Sequence, residues 1–196
     1  MKIDKKAETL WDKSNISFID YQSYIDRKPD RFQLTLIDLL YISNFKGGNA
    51  TIKEKEEKVN VKLLEYSKQF QSIEKTFKDP NLASLTSDQL DALKIMVKAC
   101  FSLADKNSDF KIDGFSASYL SALMNAYFPN LIPILDRRVL INSLIVKPGD
   151  INNQGQIINI EKHFSELLDH FFKRCKEEKK SIRDIDKELF IIEIKK

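Results

Sequence analysis

The chain has 196 residues, 42% of them hydrophobic, with only five glycines and five prolines. That is apolar material for one core, too much for a disordered chain, and too few turn residues for an all-β sandwich or barrel. The formal net charge of +3, from 32 basic against 29 acidic residues, neither demands nor excludes a nucleic-acid partner.

No apolar run reaches the roughly 20 residues that span a bilayer, and MKIDKKAETLWDKS lacks the apolar core of a signal peptide. Cys100 and Cys175 fall inside helical patterns, as small buried residues of a reducing compartment do. A cytoplasmic protein without a membrane partner is expected, folded as one all-α domain over residues 1–196.

Residues 16–46 carry a dense apolar series that includes Phe18, Tyr21, Tyr24, Phe32, Leu36, Leu39 and Ile42. Asp38 and Ser43 interrupt it, so it reads as one or two buried helices. Asn44-Phe45-Lys46-Gly47-Gly48-Asn49 closes it, paired glycines being a helix stop. This is not a P-loop, because the spacing and the Ser/Thr after Gly-Lys are missing. A functional version would put Lys46 on DNA or near an active pocket.

Over 53–77, Val59, Leu63, Tyr66, Phe70, Ile73 and Phe77 alternate steps of four and three, one helical stripe that Asp79-Pro80-Asn81 ends. Thr86 with Gln89 has the spacing of a capping box. The helix it opens uses Leu90, Leu93, Val97, Cys100, Phe101 and Ala104 as its apolar face. After a polar loop, Ala117–Tyr127 reads as a helix, and Pro129 and Pro133 stiffen the link to Asp136. Asp136 stands at an N-cap, with 137–145 helical behind it. Residues 156–176 form an amphipathic helix through Ile160, Phe164, Leu167, Leu168, Phe171 and Cys175. Ser181 with Asp184 opens a last short helix, and LFIIEIKK ends as helix or strand. The cluster Lys173, Arg174, Lys176, Lys179, Lys180 and Arg183 is either a solvated helix end or a phosphate-facing patch.

The chemistry concentrates in IDGFSASYLSALMNAYFPNLIPILDRRV, from Ile112 to Val139. A turn at Asp113-Gly114-Phe115-Ser116 exposes backbone N–H groups at the start of a helix, an arrangement suited to phosphate. Asp136, starting the next helix, meets orphan N–H groups that favour its ionised form.

This layout resembles the helix-hairpin-helix DNA glycosylase superfamily, the endonuclease III-like group, over roughly 30 residues. Ile112-Asp113-Gly114-Phe115-Ser116 stands for the family's Leu-Pro-Gly-Val-Gly hairpin, and Pro133-Ile134-Leu135-Asp136-Arg137-Arg138-Val139 for its acidic segment. With Gly114 on the first hairpin glycine, Asp136 falls on the essential aspartate without a gap. The resemblance implies a helix-hairpin-helix at about 90–128, an Asp-bearing segment at 133–145, and double-stranded DNA as partner. Asp136 would be the catalytic carboxylate of a monofunctional base-excision glycosylase, activating water or stabilising the oxocarbenium-like sugar as a flipped base leaves.

The same resemblance implies DNA contacts from Lys111, Gly114, Phe115, Ser116, Ser118, Arg137 and Arg138, with Lys46 beside them. It implies no cofactor beyond a monovalent cation on the hairpin carbonyls. Ser118 stands where bifunctional members carry the Schiff-base lysine and cannot replace it. Ser116 replaces the second hairpin glycine, and Arg137-Arg138 replace the usual Thr-His. Four clustered cysteines for an iron–sulfur site are missing.

Other readings stay open beside this one. Asp105, Asn107, Asp109 and Asp113 have partial EF-hand spacing, but Phe110 stands where Gly must turn and Ser116 where a bidentate Glu must bind. His163 and His170 lie two helical turns apart, too far to share a metal directly. The rivals to an enzyme are a non-catalytic helix-hairpin-helix DNA-binding protein and a structural helical domain with no nucleic-acid role. An enzyme requires a concave pocket beside Asp136 with aromatic walls; a binder requires a basic face around Gly114 without it.

Overall fold

A computed structural model describes residues 2–48, 51–78 and 81–194. Among them are eight α-helices, short 3-10 turns and two isolated β-bridges, with no β-strand.

The first helix, α1 (Lys5–Asp26), begins earlier than the apolar series alone suggests. Asp4 caps it, its carboxylate accepting the N–H groups of Lys6 and Ala7 at 3.0 and 3.2 Å. Ala7 and Trp11 then share the buried face of Phe18, Tyr21 and Ile25. The second, α2 (Leu36–Phe45), runs through Asp38 instead of breaking there. Asp38 is fully buried and sits at the centre of a polar knot. It accepts hydrogen bonds from the Tyr21 hydroxyl at 2.8 Å, the Tyr127 hydroxyl at 2.9 Å and the Lys28 ammonium at 2.9 Å. Its backbone-facing oxygen also takes the Thr35 N–H at 2.7 Å, so the interruption in the apolar pattern is a helix-start device turned inward.

Lys46 ends α2, and Gly47 and Gly48 follow with φ of 92° and 72°. The Gly48 N–H returns to the Ser43 carbonyl at 2.7 Å, an αL stop that glycine adopts without steric cost. Asn49, which completes the motif, lies outside the described residues, as do Asp79 and Pro80 of the next stop signal.

The periodic stripe of 53–77 becomes α3 (Glu56–Thr76), burying Val59, Leu63, Tyr66, Phe70 and Ile73. Thr86 and Gln89 exchange the two bonds of a capping box at 2.9 and 3.3 Å and start α4 (Ser87–Leu103), which packs on α3. The connection from 104 to 116 is long and passes through successive tight turns, closed by the Ser108 N–H on Asp105 and the Lys111 N–H on Ser108, before the one that precedes the next helix. There Phe115 N–H donates to the Ile112 carbonyl at 3.0 Å and Gly114 takes φ of 84°. Helix α5 (Ala117–Tyr127) follows as the central helix, buried from Leu120 onward and packed on α1 and α2.

The proline link ends at α6 (Arg137–Asn142), shorter than expected because Leu144 turns left-handed with φ of 61°. The helix expected over 156–176 starts later. Asn159 is left-handed, a 3-10 turn covers Ile160–His163, and α7 runs Phe164–Glu178. Ser181 caps α8 (Ile182–Ile191), its Oγ accepting the Asp184 N–H at 3.0 Å. The tail leaves the helix at Ile192, which bridges to Ile3 and ties the two ends of the described chain together.

The Lys28 and Asp38 side chains are 6% and 0% exposed, so removing the carboxylate strands an ammonium and two hydroxyls in the core. Asp38→Ala is expected to cost about 3–5 kcal/mol in urea denaturation; a loss under about 1 kcal/mol would mean that water replaces the carboxylate.

Candidate active site

The proline link is pinned to α5 by three hydrogen bonds. Asn125 Nδ2 donates to the Ile132 carbonyl at 2.6 Å; Ser121 Oγ accepts the Leu135 N–H, and Ser118 Oγ donates to the Leu135 carbonyl, both at 2.9 Å. These bonds fix the residue that follows, Asp136. Its Oδ1 accepts the Arg138 N–H at 2.8 Å as an N-cap, and its Oδ2 meets the Lys46 ammonium at 3.0 Å. Burial alone would raise the Asp136 carboxyl. The Lys46 charge, its hydrogen bond, and the N–H groups of Arg138 and Val139 outweigh that and hold it below the usual carboxylate range.

Asp136 and Lys46 lie on the wall of a cavity of about 360 Å³ between α1, α2, α6 and α8. Trp11, Phe45 and Phe190 supply aromatic wall, and Ser14 and Asp186 add polar groups. Arg183 crosses this space from α8. Its guanidinium lies 3.9 Å from the Trp11 ring centre and 4.7 Å from that of Phe18, and donates to Asn15 Oδ1 at 2.9 Å and Asp186 Oδ2 at 2.9 Å. Asp186 is 3% exposed, and its Oδ1 has no hydrogen-bond partner. Burial pushes its carboxyl up, and the Asp136 charge adds to that. Arg183 and Lys46 only partly offset it, leaving Asp186 at about 7. The cavity therefore holds two carboxyl groups driven apart, one held ionised and one that exchanges its proton around neutrality.

Other residues singled out by sequence are placed differently. Gly114 is fixed by backbone crowding, since a Cβ there would collide with the Thr51 carbonyl. The Asp113 N–H at this turn is occupied by Glu54 Oε1 at 2.8 Å, and the Lys111 carbonyl accepts the Lys62 ammonium, a cation the chain supplies itself. Phe115 is a core residue, 2% exposed, and its N–H is spent on the Ile112 carbonyl. Ser116 is exposed at the start of α5, and Ser118 is spent on the proline link. Arg137 is exposed, its guanidinium close to Gly155. Arg138 is committed inward, to Asp4 and to the carbonyls of Phe190 and Ile192.

The basic cluster at 173–183 divides: part of it pairs within the α7–α8 corner, and Lys173, Lys176 and Lys179 stay exposed. Arg174 and Lys180 pair with Glu178 and Glu188, while Arg183 faces the cavity. Among the described residues, no group of three or more His, Cys, Asp or Glu side chains is placed to hold a metal, and no helix is long and apolar enough to cross a membrane.

Sequence reasoning brought Asp136 and Lys46 forward separately and missed Trp11, Arg183 and Asp186. A signal for the last two was present: Arg183 and Asp186 are three apart behind a clear Ser181 cap, on the face that carries Ile182, Ile185 and Leu189 inward. Compared with family models, curated proteins and solved structures, the chain finds no match in any of the three.

The raised Asp186 carboxyl makes stability depend on pH. Its folded value of about 7 lies above its unfolded value, so the folded protein keeps a proton that the unfolded chain releases. Stability from this group is present at pH about 4 and is lost as pH rises through about 7, by roughly 1.4 kcal/mol per unit of separation. Asp186→Asn should therefore gain melting temperature relative to wild type between pH 5 and 8. Parallel curves would place the Asp186 carboxyl in the ordinary range.

Proposed function

We propose that the cavity beside Asp136 hydrolyses the N-glycosidic bond of a base flipped from double-stranded DNA, in the manner of a monofunctional base-excision glycosylase. The observation that carries this reading is the convergence of Asp136 and Lys46 on one aromatic-walled cavity. A carboxylate held ionised is what a sugar carbon needs as positive charge develops on it, and a cavity of about 360 Å³ is of a size that accommodates a nucleobase. The family resemblance points to the same aspartate from sequence alone. In this reading the turn at 112–115 and α5 stand for the hairpin and its second helix. Glu54 holds the anion position at the Asp113 N–H, and a phosphate oxygen takes that place when DNA binds. Arg137, exposed at the start of α6 and next to Asp136 in the chain, is a DNA-backbone contact in this reading.

The binding-only alternative draws less support. It leaves the aromatic-walled cavity that Asp136 and Lys46 line without a role.

The test is release of free base from duplexes each carrying one damaged base, with alkali to cut the abasic sites formed. Asp136→Asn should reduce release by about 10²-fold or more while duplex binding persists. Binding without release by wild type across a broad panel would leave a DNA-binding module, and absence of duplex binding would remove DNA from the account.

A further inference from the structure

Two carboxyl groups share this cavity, and the reading above uses only one of them. Asp136, at the start of α6, has both oxygens engaged, one by the Arg138 N–H and one by Lys46. Asp186, on α8, has one oxygen engaged by Arg183, and the other is buried without a partner. Because Oδ2 accepts from the guanidinium, a proton on Asp186 resides on Oδ1. An O–H there is a donor that the folded chain leaves unused, beside a cavity whose remaining polar groups are largely paired.

The groups facing Asp186 explain why the proton stays. Arg183 comes from its own helix, Asp136 from the start of α6 and Lys46 from the end of α2; α1 contributes Trp11, Ser14 and Asn15, none charged. The Arg183 charge is divided between the Asp186 oxygen, the Asn15 amide oxygen and the Trp11 and Phe18 rings, so it does not bind the carboxylate form alone. Burial and the neighbouring Asp136 anion favour the acid, at about 7. Two titratable groups pushed apart in one cavity are the pattern of an acid and a base with separate roles.

We propose that Asp186 is the general acid of this site and that the bases it releases are uncharged purines, which must gain a proton to leave. The inference rests on the reading of the cavity as an N-glycosidic hydrolase site. As the bond between the sugar carbon and the purine nitrogen breaks, its electron pair goes to the base. The proton on Asp186 Oδ1 passes to a purine ring nitrogen. Water then adds to the sugar carbon on the face that Asp136 meets, and Asp136 takes the proton released and returns it to solvent. Asp186 recovers its proton from solvent, so the products are free base and an abasic sugar. A purine already cationic from alkylation carries its own driving force and has no need of the acid.

The experiment compares two substrates in single-turnover base release: a duplex with one uncharged purine lesion (hypoxanthine or 8-oxoguanine) and a duplex with one cationic N7-methylguanine. Asp186→Asn should slow the uncharged lesion by about 10²-fold or more and change N7-methylguanine by less than about 3-fold. The preserved reaction of the cationic base certifies that the variant is folded. Wild-type release of the uncharged lesion should fall as pH rises past about 7, and the cationic base should show no such fall. Equal slowing of both substrates would make Asp186 a structural residue. Release confined to N7-methylguanine or to uracil would overturn the assignment while leaving the hydrolase reading in place. Release of no base from any duplex would remove that reading and the inference together.

Discussion

The ion pair between Lys46 and Asp136 joins two points ninety positions apart in the chain, and the cavity takes its shape from that junction. Lys46 ends α2, where unpaired carbonyls favour a cation, and Asp136 begins α6, where unpaired N–H groups favour an anion. Each charge therefore suits its helix end before it meets the other. Two other constraints bring them together. Gly47 and Gly48 turn the chain sharply away after α2, and the proline link is held to α5 by Asn125, Ser121 and Ser118.

On the far wall of the cavity, α8 sets up the opposite electrostatics. Asp136 lies among donors and stays ionised. Asp186 is buried beside a guanidinium already shared with Asn15 and Trp11, so burial governs it. The same residue type thus has its hold on a proton shifted in opposite directions within one space, and the difference arises from which elements face each group. Trp11 has a part in this. It lies one turn beyond Ala7 on a helix that Asp4 starts early, and it gives Arg183 its nearest ring, with Phe18 next.

Local signals were legible where they are local in physics. The capping residues at Thr86, Ser181 and Asp136 and the four-three stripe of α3 all appear as read, because each depends on neighbours within one or two turns. Signals that depend on tertiary partners were misread or invisible. Asp38 looked like a break, and it is the acceptor for four side chains, those of Tyr21, Lys28, Thr35 and Tyr127. Arg183 looked like one of a basic run, and its neighbours Arg174 and Lys180 turn to Glu188 while it turns inward. The turn at Gly114 was legible as a turn. That Glu54 and Thr51 overlay it depends on how the α2–α3 connection packs, which no pattern near residue 114 encodes.

The central claim is that the Asp136 carboxylate stabilises positive charge at a sugar carbon in DNA. It is tested most directly by equilibrium binding to two duplexes differing in one abasic-site analogue, a cationic pyrrolidine or an uncharged tetrahydrofuran. A site built for the developing cation binds the pyrrolidine duplex tighter by on the order of 10²-fold, and Asp136→Asn abolishes the preference. Equal affinity of the wild-type protein for both duplexes would contradict the account, because it would show a cavity indifferent to the charge that Asp136 is there to meet.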